Sequence, residues 1–154
     1  MAGGLAAVPH DNLWLVAVTA LGDVCADTGA REHAAALERA LAPSAGLCAI
    51  IPTAAWLGPV DRVLGRLATL QEHWEEASGH LARASLVCGR ASCPAALVEV
   101  RLDQADMLLR RGRPSDLDAA RAAARAALGG AETIGMRAAT GRAVAMLART
   151  DPQR

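Results

Sequence analysis

Apolar residues return along this chain at three- and four-residue steps, and glycine or proline interrupts the pattern at intervals. That period is the mark of helices burying one face. Asp11 is placed to cap a first helix through Thr28, with Gly29 as its stop. A second helix runs from Ala30 or Arg31 to Ala42, ahead of Pro43. Residues 44–53 do not follow the helical period; their apolar run, Leu47 to Ile51, reads as a loop tucked on the core, because a lone strand would lack a partner. Thr53 is the candidate cap of a third helix through Leu70, although Pro59 would kink it or move its start to about Gly58. A fourth helix spans His73–Cys88 with Gly89 as stop. A fifth runs from Pro94 to Arg111 before Gly112. A sixth starts at Ser115 or Asp116 and ends at Leu128, before Gly129-Gly130. The last covers Met136–Arg149. The fold class is therefore all-α, with about seven helices. Short connections make neighbours antiparallel. The expected layout is a flexible N-terminus over 1–10, one helical domain over 11–149 and a tail over 150–154.

Composition supports the class. Of 154 residues, 53% are apolar, yet Phe and Tyr are absent and only three Trp occur. Ala and Leu supply the core, and Ala-lined faces let helices approach closely. Net charge is zero, which argues against a general nucleic-acid binder. Residues 1–100 carry −4 and residues 101–154 carry +4, a mild gradient that suits solvated helix surfaces. Every basic residue is Arg. No stretch reads as a signal peptide or a membrane span. The expectation is a cytoplasmic protein without membrane or nucleic-acid partners, its four cysteines reduced.

Small residues also recur over long range. Leu21-Gly22 returns as Leu64-Gly65, and Ala34 returns as Ala77 and again as Ala120, each time 43 positions later. Helical pairs at a fixed period describe a short solenoid of helix-turn-helix repeats. Leu64-Gly65, Ala68, Trp74-Glu75-Glu76-Ala77, Leu81 and Ala84 together resemble a tetratricopeptide repeat. A further unit follows at Ala105, Leu108, Gly112, Ala120, Ala124 and Ala127. The first unit departs from the motif, with Glu38 where a large apolar residue is expected. The period also exceeds the usual length of about 34. The span Asn12–Met136, through Trp56–Gly65 and Arg101–Gly112, is similar to the C-terminal helical region of large ATP-dependent bacterial transcriptional regulators. ATP hydrolysis and DNA binding are not expected to carry over, since no GxxxxGK[ST] motif exists and the stretch after Met136 is too short for a DNA-reading module.

The chemical candidates are few. His73, Glu76 and His80 share a helix face with metal-ligand spacing, but the repeat register turns that face to water. Cys88 and Cys93 lack the second pair a zinc site needs. Glu75 and Glu76 point about 100° apart and cannot clasp one substrate. No catalytic, cofactor or metal residue is assigned, and no enzyme is expected. The tetratricopeptide resemblance implies instead a partner-binding groove lined by Arg62, Arg66, Thr69, Leu102, Asp106, Leu109 and Arg110, the arginines forking around a partner carboxylate. The expected function is a non-enzymatic module for protein or peptide interaction, related to a regulatory protein. The alternatives are a small-molecule effector sensor and a self-associating domain, the latter a homodimer.

Overall fold

A computed structural model describes residues 8–51 and 54–150. Among them are seven helices, α1 (Trp14–Thr28), α2 (Arg31–Leu41), α3 (Val60–Leu70), α4 (Trp74–Arg90), α5 (Pro94–Arg111), α6 (Asp116–Ile134) and α7 (Arg137–Arg149). One short antiparallel hairpin, β1 (Cys48–Ile51) with β2 (Ala55–Pro59), lies between α2 and α3. The fold is all-α apart from that hairpin. No described helix is long and apolar enough to cross a membrane.

The hairpin corrects the expected loop over 44–53 and the early start of the third helix. The run after Leu47 does have a strand partner, taken from the residues assigned to the helix. Cys48 pairs with Pro59 and Ile51 with Ala55, with a register shift between Ala49 and Ile50. Two features keep 55–59 out of a helix. Gly58 sits at φ +111°, outside the helical region, and a residue before proline is driven toward extended backbone. Pro59 then precedes α3 with extended ψ, so the helix begins at Val60. Thr53, the expected cap, lies outside the described residues.

Two glycine stops are also corrected. α4 continues past Gly89, and the left-handed turn falls on Ser92 instead. α6 runs through Gly129-Gly130 to Ile134 and ends at Gly135. Gly130 is an approach point: a Cβ there would meet the Val98 side chain at 2.8 Å. Gly29 and Gly112 do end α1 and α5 in left-handed conformation. At the start of α6 Ser115 makes no side-chain cap; the carboxylate of Asp116, in the first turn, reaches back to accept the Arg113 N–H at 3.1 Å. Arg111 forks onto the same carboxylate at 2.9 and 2.7 Å and, by this hydrogen bonding first, holds it below the usual carboxylate range.

The contacts cluster into two compact units, Met1–His80 and Leu81–Arg154, with the boundary running through α4. In the first unit α1, α2 and α3 close on a core of Val18, Leu37, Leu41, Val60, Leu64 and Leu67, with Trp14 packed against it. In the second, α5, α6 and α7 close on Val98 and Leu102 against Ala127, Ala131, Ala139 and Ala143. Leu and Val knobs set into alanine faces are what the composition foretold. The recurrent small residues Gly65, Ala77 and Ala120 are all buried.

Gly22 shows why one such position is small. A Cβ there would strike Cγ1 of Val63, with Leu41 and Leu67 at 3.6 Å beyond. Val63 is β-branched on a helix and nearly fully buried, so its χ1 has little room to turn away. Gly22→Ala is expected to destabilise by about 1–3 kcal/mol through overpacking, despite alanine's better helix propensity. Urea unfolding followed by circular dichroism checks it.

Candidate functional site

The expected groove residues take different roles. Arg62 and Arg66, one turn apart on α3, are mostly buried, with side chains 16% and 12% exposed. Arg62 reaches Asp23 at 3.4 Å, and Arg66 binds both Asp23 and Asp27 on α1. The two carboxylates are themselves one turn apart, so two helices are clamped along matching rows. The guanidinium groups thus already grip carboxylates of their own chain. Thr69 is buried and its hydroxyl donates to the Gly65 carbonyl at 2.8 Å. Leu102 is wholly buried in the second core. Both side chains are buried, so neither lines an exposed surface. Asp106 accepts from Arg110 at 2.6 Å and has Arg149 at 3.8 Å, while Leu109 is half-buried and Arg110 exposed. Arg62, Arg66 and Thr69 belong to the first unit, the other four to the second.

A concave apolar surface lies elsewhere, between α1 and α2. Leu21, Val24, Cys25 and Thr28 line it from α1, with His33, Ala36 and Leu37 opposite on α2. Its volume is about 360 Å³. The α1 residues fall at three- and four-residue steps, hence on one stripe of the helix. Leu21 is 43% exposed and Val24 57%, so two large apolar side chains stand in water at its edge. Cys25 forms the floor. Its thiol donates to the Ala30 carbonyl at 3.2 Å, and burial, then the charge of Glu32, pushes its pKa up. The floor is therefore a neutral, weakly polar thiol with little nucleophilic character at neutral pH. Glu32 adds a negative charge nearby, its side chain 72% exposed.

His80 is also reassigned. Sequence periodicity turned it to water with His73 and Glu76; the structure places its Nδ1 2.7 Å from Oδ1 of Asp61, a fully buried carboxylate. Oδ2 of Asp61 accepts the Gly46 N–H at 2.6 Å. Asp61 stands in the first turn of α3, where the helix dipole favours an anion. One carboxylate thereby ties the segment before β1 and the start of α4 to α3. Asp61 carried no sequence signal beyond its place after Pro59, because its partners are 15 and 19 residues away.

Compared with protein-family models, with curated proteins and with solved structures, the chain matches none.

Proposed function

We propose that this protein is a non-enzymatic helical binding module of tetratricopeptide-like kind, which docks the apolar stripe of a protein or peptide partner between α1 and α2. The exposed pair Leu21 and Val24 above an apolar floor carries the reading. Apolar surface that concave and that exposed gains by burial against a helix presenting leucine-type side chains one turn apart. Glu32 favours a partner with Lys or Arg beside that stripe. This moves the partner surface away from Arg62 and Arg66, whose guanidinium groups are engaged within the chain. A place in a regulatory system fits the resemblance of the repeats, and the zero net charge disfavours nucleic acid. A small apolar effector is the second reading, favoured by a volume inside the range of about 300–1,000 Å³ typical of small-molecule sites.

Fluorescence anisotropy with a panel of labelled amphipathic peptides, each carrying Leu pairs one turn apart and flanking Lys, tests the first reading. Val24→Asp is expected to weaken the best binder at least about tenfold, equivalent to about 1.4 kcal/mol. Val144→Asp, at another exposed apolar position, is the control. Equal loss from both, or binding indifferent to Val24→Asp, removes the groove. A thermal shift with small apolar compounds and no peptide binding favours the effector.

A further inference from the structure

α4 begins beside an unexplained convergence of side chains. Glu38 on α2, His73 before α4 and Glu76 in its first turn bring a ligand atom each within 4.8 Å of one another. We infer that these three residues bind a divalent transition-metal ion of the zinc type.

Three observations support it. The first is geometry. Two ligands about 2.1 Å from a tetrahedral ion stand about 3.4 Å apart; Nδ1 of His73 and Oε2 of Glu76 are 3.5 Å apart. That is long for a hydrogen bond and right for one edge of a coordination tetrahedron. Glu38 supplies a third oxygen within 4.8 Å of both. The second is support behind the ligands. Oε2 of Glu38 accepts the Gln71 amide at 2.5 Å, and the same amide nitrogen donates to the Leu67 carbonyl at 3.2 Å. Gln71 thus fixes Glu38 as outer-shell partners fix metal-bound carboxylates. The His73 backbone is held on both sides, its N–H by Ala68 and its carbonyl by the Ala77 N–H, each at 2.9 Å. The third is charge and ligand type. Two carboxylates suit a dication, and an imidazole with only three protein ligands suits Zn²⁺ over Ca²⁺ or Mg²⁺. Three protein ligands leave a fourth position for water. The ion would tie α2 to the turn ahead of α4, apart from the residues lining the apolar groove.

Isothermal titration of the full chain with Zn²⁺, under reducing conditions, is the test. One equivalent should bind, and His73→Ala and Glu38→Gln should each weaken it at least about tenfold, with Gln71→Ala weakening it by a factor of about ten. His10→Ala, at an exposed position outside both sites, should leave it unchanged. Substituted Co²⁺ should show a tetrahedral ligand-field spectrum without a thiolate charge-transfer band. Circular dichroism controls for folding, which exposed His73 tolerates losing. Affinity unaltered by His73→Ala, a thiolate band, or no heat up to millimolar Zn²⁺ would each overturn the site. Peptide binding by the groove is read separately and is expected to persist in His73→Ala.

Discussion

Leu102→Ala is expected to lower the free energy of unfolding by about 2–5 kcal/mol, against a total that for a chain of this kind is about 5–15. The reason lies in the composition of its surroundings. Leu102 is wholly buried among Val98, Ala127, Ala131, Ala139 and Ala143. Four of these five are alanines, whose methyl groups have no rotamers with which to fill a void. Removing the isobutyl group leaves a cavity that the alanines cannot refill, so relaxation falls to the partly buried Leu128, Met136 and Met146 packed against this core. Arg110→Ala, at an exposed position on the same helix, should change stability by less than about 0.5 kcal/mol. Urea denaturation of both variants measures the contrast. Near-equal effects would show that Leu102 does not serve as the knob of the second core.

The next largest effect is expected at Asp61. Asp61→Ala should cost about 2–4 kcal/mol, since it strips a buried acceptor from two donors at once. The Gly46 N–H loses its 2.6 Å partner and the His80 imidazole its 2.7 Å partner. The Gly46 N–H belongs to the segment leading into β1, so local damage should appear there first. Hydrogen exchange at residues 46–51 should accelerate more than at α5. Asp61→Asn keeps the shape and one carbonyl acceptor, and should recover about half of the loss. A loss as large in the Asn variant would point to the negative charge itself, favoured by the α3 N-terminus, as the stabilising element.

These two residues illustrate how far a linear reading reaches. Helix existence and type were legible, because a face buried over three or four turns leaves a 3.6-residue imprint on the chain. α5 came out residue for residue, with Pro94 opening it and Gly112 closing it. The long-range return of small residues correctly marked buried positions at Gly65, Ala77 and Ala120. Gly130 was misread for a reason that is equally physical. Glycine marks either a left-handed turn or a close approach, and only the presence of Val98 from α5 tells which. The hairpin failed similarly: a four-residue apolar run has no fate of its own until a partner strand appears, and its partner had been assigned to a helix.

Candidate chemistry was less legible than architecture, since it depends on side chains from separate helices. Glu38 looked like a defect in a repeat, an acid where an apolar residue belongs. Beside His73 and Glu76, 35 and 38 positions on, it completes a ligand set. Arg62 and Arg66 looked free to meet a partner, and Asp23 and Asp27 engage them from α1.

By itself the chain determined where helices form and which small residues permit crowding, because backbone propensity and solvent exclusion act over a few neighbouring positions. Tertiary structure alone decided which charges cancel, that Gly130 is a close approach and not a turn, and which apolar stripe is left in water. Those outcomes depend on distances of a few ångströms between residues far apart in the chain, and no local pattern encodes them.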